Sequence, residues 1–134
     1  MMKEAIALLQ QEANLLEIAR LVGAESLSPE DQLILYTARS LREDFLHQNA
    51  FHEVDTYTSI TKQKVMMEVI MHAHAEMKKA IRGGVSPRDL FDLPLKEEIS
   101  RMSYIPEADI GTLESIKQDV TSQINDLIEN EQTA

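Results

Sequence analysis

Apolar residues recur along this chain at spacings of three and four, the pattern of helices that bury one face. Five such stretches can be recognised, covering roughly residues 3–22, 29–47, 61–82, 86–102 and 109–130. No stretch shows the strict alternation of a half-buried strand. The pattern predicts an all-α fold, a bundle of about five helices in which short connections make neighbours antiparallel.

The first predicted helix has more apolar positions than one core face needs. Its main stripe consists of Ile6, Leu9, Ala13 and Leu16. A second set widens that stripe: Leu8, Leu15, Ala19 and Val22. We therefore expect this helix to be well buried. Gly23 supplies the usual helix stop.

The second helix has clear start signals. Ser28 is a good N-cap, Pro29 suits the first helical position, and Asp31 completes a pattern like a capping box. Glu30 adds negative charge at the positive end of the helix dipole. The helix should end near His47, and its expected core stripe is Ile34, Ala38, Leu41 and Phe45.

The remaining helices follow the same logic. The third should end at Gly83-Gly84, and its core stripe is Met66, Ile70, Ala73, Met77 and Ala80. Leu93-Pro94 should bend the fourth into one kinked unit, and Pro106 marks the last break. The last helix has its apolar stripe at Leu113, Ile116, Val120, Ile124 and Leu127. Its final residues should fray.

Composition narrows the class of protein. The length of 134 residues suits one domain, and 23 acidic against 13 basic residues give a formal charge of -10. That charge disfavours nucleic acid and suits either a basic protein partner or simple solubility. There is no cysteine, no apolar run long enough for a membrane helix and no signal-peptide pattern, so we expect a cytoplasmic protein.

Catalytic chemistry is not recognisable in the sequence. There is no phosphate loop, no nucleophile elbow and no cysteine nucleophile, so we assign no catalytic residue. His72 and His74 point about 200° apart on a helix and cannot share a metal ion. His47 and His52 lie near carboxylates without a second ligand motif, so no metal site is predicted. The methionines of the third helix indicate core filling rather than a peptide groove.

One long segment of the chain carries a pattern specific enough to indicate a family. The run LREDFLHQNAFHEVDTY, residues 41–57, closely resembles a signature of the catalytic A subunits of V/A-type ATPases. The agreement extends to LLQQEA at 8–13, IARLVG at 18–23, LP at 93–94, EEI at 97–99 and YIP at 104–106. It covers nearly the whole chain, at the C-terminal end of that subunit, although the tail after Pro106 matches only in helical character.

The resemblance implies that residues 1–134 are a single C-terminal helical domain of a longer catalytic subunit. In that family the phosphate loop, a catalytic glutamate and the magnesium ligand lie upstream, and an arginine finger comes from the B subunit. ATP or ADP and Mg then belong to the parent enzyme, with no cofactor and no activity in this piece alone. The implied partners are the central nucleotide-binding domain, neighbouring B subunits and the central stalk, in a head peripheral to the membrane.

The resemblance also implies an adenine contact. Ala50 and Phe51 match residues that line the adenine pocket, and Gln48 and Asn49 help to shape it. An aromatic face stacks on a base with about 1–3 kcal/mol in nucleic-acid systems. The alternative is that Phe51 is an ordinary core residue.

A second implied contact lies at residues 23–31, GAESLSPED, which resemble the acidic lever loop of the related F-type beta subunit. The matching residues are Glu25, Ser26, Leu27, Ser28, Glu30 and Asp31, while Pro29 replaces an acid. In the family this tip meets the rotating shaft. The alternative is a solvated, well-capped turn, which explains Ser28 but leaves Leu27 as an exposed apolar residue.

These two sites lie at opposite ends of one predicted helix, about 28 Å apart. A stiff rod of that length could convert a change at the nucleotide into a swing at the shaft. Two other readings remain open at this point: a free-standing helical interaction module, and a small metal-binding helical enzyme.

Overall fold

The computed structural model describes residues 2–46, 60–105 and 109–133. The α-helices in this part of the chain are α1 (Met2–Val22), α2 (Pro29–Ser40), α3 (Ile60–Arg82), α4 (Pro87–Phe91), α5 (Leu95–Ser100) and α6 (Ile110–Thr133). Turns of 3-10 helix occupy Ala24–Ser26 and Met102–Tyr104. The described residues contain no strand, so the predicted all-α fold is confirmed.

The predicted kinked fourth helix is two separate short helices, α4 and α5, which raises the count of α-helices in the described ranges to six. Pro94 stands between them, and Leu93 N donates to Leu90 O in a turn. Pro87 begins α4 as expected, but the Ser86 side chain makes no capping bond there. Instead, Asp89 N donates to the backbone oxygen of Ser86 at 3.1 Å.

The long helix α3 is the centre of the bundle. It packs against α6 on one side and α2 on the other, while α2 also packs against α1 and α6 against α5. The expected stripe of α3 is buried throughout, with Met77 and Ala80 fully inaccessible. Leu113, Val120 and Ile124 of α6 are equally buried. Methionine thus fills a core that has few aromatic side chains, as the sequence indicated.

Both histidines of α3 have structural roles. Thr37 Oγ1 of α2 lies 2.7 Å from His74 Nδ1, and Thr121 Oγ1 of α6 lies 2.6 Å from His72 Nε2. Each bond ties α3 to a different neighbour and satisfies a partly buried polar group. Burial, followed by the charge of Lys78, lowers the pKa of His74. The two rings thus point to different neighbours, His74 to α2 and His72 to α6, as their spacing of two residues on one helix requires.

The prediction that α1 is well buried is wrong for its second half. Ala5, Leu8 and Glu12 are buried, but no residue from 13 to 26 is. The stripe residues Ile6 and Leu16 are 48% and 50% exposed. The reason is that α1 packs mainly on α2 and on the 3-10 turn that follows it, so no described element covers its other side.

The second helix was predicted to be regular as far as His47, and the structure differs from this prediction. After Ser40 it continues as π-helix over Leu41–Leu46, and His47 lies outside the described residues. Leu33, Thr37 and Ala38 are its buried residues, whereas Ile34 is only partly buried. π-Helical segments are rare and are often found near functional sites.

Among the described residues, no helix is both long enough and apolar enough to cross a lipid bilayer.

Candidate functional site

The turn between α1 and α2, residues 23–28, is the first candidate site that the sequence indicated. Gly23 ends α1 with φ +92°, a conformation that L side chains rarely adopt. Ser26 N donates to Gly23 O at 3.1 Å, and the Ser26 hydroxyl donates to Val22 O at 2.7 Å. These local bonds close a compact turn.

The start of α2 forms as predicted. Ser28 has extended backbone angles, and its Oγ accepts a hydrogen bond from Asp31 N at 3.2 Å. Pro29 occupies the first helical position. Ser28 is therefore engaged by the helix it caps, even though the residue itself is exposed.

Leu27 is not the exposed leucine that we expected. It is 8% exposed, and its backbone oxygen accepts a hydrogen bond from Gln32 Nε2 at 3.0 Å. The hydrogen bond from Gln32 ties the turn to α2, and burial of the Leu27 side chain favours one position of the loop. The polar side chains that the turn presents to solvent are those of Glu25, Ser26 and Ser28.

The acidic residues of the tip differ in their surroundings. Glu25 is exposed, whereas Glu30 Oε1 lies 3.1 Å from Arg82 Nε at the end of α3. Both side chains of that pair are about half exposed, so the pair contributes little stability. The pair joins the first turn of α2 to the last turn of α3, whereas Glu25 is presented to solvent.

A cavity of about 380 Å³ lies beneath the tip, between the second half of α1 and α2. Tyr36 of α2 and Phe91 of α4 stack in its wall, with ring centroids 4.4 Å apart and planes 2° from parallel. Burial, and then the charge of Asp44, raise the pKa of Tyr36 to about 12, so the phenol stays neutral.

An ion pair that the sequence did not reveal joins α1 to the end of α2. Arg42 Nε donates to both carboxylate oxygens of Glu12 at 3.0 and 3.2 Å, and Arg42 Nη2 donates to Oε2 at 2.8 Å. The Glu12 side chain is only 10% exposed, while that of Arg42 is 49% exposed. The sequence pointed to this ion pair only through the position of Glu12 on the same helix face as Leu8. A carboxylate on a buried face needs a partner.

The adenine-side residues Gln48, Asn49, Ala50 and Phe51 lie outside the described residues, as does the whole loop 49–59 with His52. The π-helix that precedes them is described. Ser40 Oγ donates to Asp44 Oδ2 at 2.8 Å, and burial raises the pKa of Asp44.

No group of three metal-ligating side chains occurs in the part of the chain that the structure describes. Within that part, the arrangement provides hydrogen bonds, ion pairs and apolar surface, which are the means of binding and of mechanical contact.

Comparison with known proteins gives a consistent result. The family described as "C-terminal domain of V and A type ATP synthase" matches residues 1–89. The V-type ATP synthase alpha chain 1 of Clostridium tetani is 49% identical over 126 residues, which are 94% of this chain and 21% of that protein. The alpha chain of Acetivibrio thermocellus is 48% identical over 129 residues, or 96% of this chain and 22% of its own length.

The alpha chain of Clostridium perfringens strain SM101 is 48% identical over 125 residues, with 93% of this chain and 21% of the relative covered. This chain thus spans about a fifth of the length of the curated relatives it matches. Both the match over residues 1–89 and the near-complete coverage by these relatives lead to one conclusion. The chain belongs to the family of C-terminal domains of V and A type ATP synthases.

Proposed function

We propose that this domain has two tasks in the catalytic subunit of a rotary V/A-type ATP synthase. It completes the adenine side of the nucleotide site with Ala50 and Phe51, helped by Gln48 and Asn49. It also contacts the central rotor shaft through the tip between α1 and α2. Together these contacts couple ATP hydrolysis or synthesis to ion transport across a membrane.

The observation that carries the proposal is the continuous helical rod from Pro29 to Leu46, formed by α2 and the π-helix. One end bears the tip, and the other leads towards the proposed adenine residues. Its 12 α-helical residues alone extend about 18 Å. Contacts with α1 and α3 and the bond between Thr37 and His74 support the rod along its length.

The tip residues divide by what they can offer a partner. Glu25, Ser26 and Ser28 are exposed and Glu30 is partly exposed, so these four are the proposed shaft contacts. Leu27, in contrast, is buried. An acidic, rigid tip suits a basic partner surface, because complementary charge orients docking.

Under this proposal, ATP or ADP and Mg bind mainly in the central domain of the parent subunit, with an arginine finger from a neighbouring B subunit. The domain then requires no cofactor of its own and is inactive alone, in a head that lies beside the membrane on the cytoplasmic side.

The adenine contact is tested with Phe51→Ala in the complete enzyme. Losing a stacking contact of about 1–3 kcal/mol should raise the KM for ATP roughly 5- to 150-fold with a smaller change in kcat. Phe51→Tyr, which keeps the ring, is the matched control. If Phe51→Ala lowers stability but leaves KM unchanged, Phe51 is a core residue and the adenine contact is refuted.

The lever is tested with Ala38→Gly, which places a flexible residue at a fully buried position of α2. We expect the rotation driven per ATP hydrolysed to fall before nucleotide binding weakens. Ala75→Gly, at an exposed position of α3, controls for helix propensity alone. Unchanged coupling in a single-molecule rotation assay would refute the lever.

A free-standing interaction module is the second candidate, and the exposed apolar half of α1 favours it. The intact mass of the natural polypeptide distinguishes the two. A chain several hundred residues longer that contains a phosphate loop supports the rotary enzyme. A natural protein that begins at Met1 removes the adenine role and leaves the interaction module.

A further inference from the structure

The cavity between α1 and α2 has the size and the lining of a small-molecule site. Its volume of about 380 Å³ falls within the range of natural ligand pockets, roughly 300–1,000 Å³. Leu16 of α1 and Leu35 of α2 contribute apolar wall, and a few polar side chains lie among them. Ligand pockets combine these two elements, because apolar walls supply affinity and a few polar groups fix the orientation of the ligand.

The aromatic pair in the cavity wall indicates the shape of a ligand. The rings of Tyr36 and Phe91 are stacked, and both residues line the cavity and are only partly buried. Part of their aromatic surface is therefore left for a further contact. Aromatic rings pair with other flat rings, by their faces or by their edges, with a preference beyond simple apolar burial. The wall thus favours a planar aromatic molecule over an aliphatic one of equal size.

Two arginines in the wall supply hydrogen-bond donors that are already held in place. Arg42 uses Nε and Nη2 for Glu12, and Arg39 uses Nε for Glu43. A guanidinium group has five N–H donors, so these bonds leave further N–H groups at the Nη atoms of both arginines. A ligand that carries an acceptor oxygen or nitrogen beside its ring can accept from them. Because carboxylates already orient the guanidinium groups, little side-chain freedom is lost on binding.

The charges in the wall indicate that the ligand is neutral. Glu12 and Glu25 line the cavity together with Arg39 and Arg42, so the formal charges of these side chains cancel. Burial raises the pKa of Tyr36 to about 12, so the aromatic pair adds no charge. An anion would meet two arginines that are already paired with carboxylates, and a cation would meet the arginines themselves. Neither would recover the free energy that it loses on leaving water.

We propose that this cavity binds a neutral, planar aromatic molecule that carries a hydrogen-bond acceptor, with its ring against Tyr36 and Phe91 and its acceptor at Arg39. The proposal is independent of the adenine contact and of the shaft contact, because it concerns a separate cavity between α1 and α2. It adds a small-molecule site to a domain for which only mechanical and nucleotide contacts have been proposed above.

The experiment measures binding of 2-naphthamide to the complete natural protein, in its assembled enzyme, by saturation-transfer NMR titration. Excess ADP with Mg is present throughout, so that the nucleotide site is filled. We expect saturable binding with a Kd of about 0.1–1 mM, as ligand efficiency allows for a molecule this small. No saturable binding at several millimolar would overturn the proposal, because the cavity would then be closed or unsuited in the complete protein.

Variants test whether the probe lies in this cavity. Phe91→Leu removes the stacked ring and should weaken binding about 5- to 10-fold. Arg39→Gln removes the donor and should weaken it about 3- to 10-fold. The Arg39 side chain is 68% exposed, so this variant should fold even if Phe91→Leu does not. Arg88→Gln, at an exposed position of α4, is the matched control and should bind like the unmodified protein. Unchanged affinity in Arg39→Gln would overturn the proposal.

Related probes test the proposed class of ligand. Decahydro-2-naphthamide keeps the amide but has no flat ring, and 2-naphthoate keeps the ring but carries a negative charge. We expect both to bind more weakly than 2-naphthamide. Equal affinity of the decahydro compound would show that the aromatic pair confers no preference for planarity. Tighter binding of the naphthoate would show that the arginines select an anion. Either result would overturn the proposal.

Discussion

The ion pair between Glu12 and Arg42 allows a sharp test, because its two members differ in burial. The Glu12 side chain is 10% exposed and the Arg42 side chain 49% exposed. Replacing Arg42 with Gln leaves a buried carboxylate without its cation. Replacing Glu12 with Gln leaves an arginine that can turn to solvent. We therefore expect Arg42→Gln to destabilise the chain more than Glu12→Gln does.

The magnitude follows from the geometry. Removing one partner of a fully buried ion pair costs about 3–5 kcal/mol. Arg42 is half exposed, so water already reaches the pair, and we expect about 2 kcal/mol for Arg42→Gln. Glu12→Gln keeps a side-chain oxygen that accepts from Arg42 Nε, and should cost about 1 kcal/mol. Since both lose the same pair, the double variant should cost less than the sum.

Urea unfolding of the 134-residue chain measures these values, with an unchanged m-value showing that only stability has changed. Arg20→Gln is the control, since its pair with Glu17 is exposed on the same helix and should cost less than about 0.5 kcal/mol. The reasoning is refuted if Glu12→Gln costs as much as Arg42→Gln, or if Arg42→Gln is as mild as Arg20→Gln.

Three further predictions concern the helix ends and the core. Gly23→Ala should lower the free energy of unfolding in urea by about 1 kcal/mol, because φ is +92° although no atom lies within 4 Å of the added Cβ. Gly111→Ala, in an open helical position, should instead raise it by up to about 1 kcal/mol. Equal effects of the two variants would contradict the argument from backbone conformation. Met77→Ala should cost about 2–5 kcal/mol by the same measurement, since Met77 is 0% exposed, and a cost below about 1 kcal/mol would be inconsistent with a packed core there. Burial lowers the pKa of His74, so its contribution to stability is complete above the ordinary pKa of 6.5 and is lost as pH falls through the lowered folded value. From pH 7.5 to 5 the unmodified chain should therefore lose more free energy of unfolding than the His74→Gln variant does. A difference between the two that does not change with pH would contradict this.

Much of the fold could be predicted because its causes are local. The stripes of α3 and α6 follow from periodicity, and the start of α2 follows from Ser28 and Pro29. The exposed character of Glu25 and Ser26 in a capped turn was also expected. The adenine role of Phe51 stays a prediction, because that residue lies outside the described part of the chain.

Other features of the fold could not be predicted, because they depend on packing against neighbouring parts of the chain. Leu27 was expected to be exposed, but it is buried, and no local pattern separates these outcomes for a single leucine in a turn. The π-helix after Ser40 and the ion pair of Arg42 are equally non-local. Arg42 follows Glu12 by 30 residues, so only packing brings the two together.

The first helix separates the two kinds of information most clearly. By itself the sequence determined that a helix runs over roughly residues 3–22 and ends at Gly23, since helix propensity and a glycine stop act within a few residues. It also determined that α1 is apolar on more than one side. Only the tertiary structure decided that Leu8 is buried while Leu21 faces outward, because burial requires a neighbouring surface, and the described bundle covers only one side of α1.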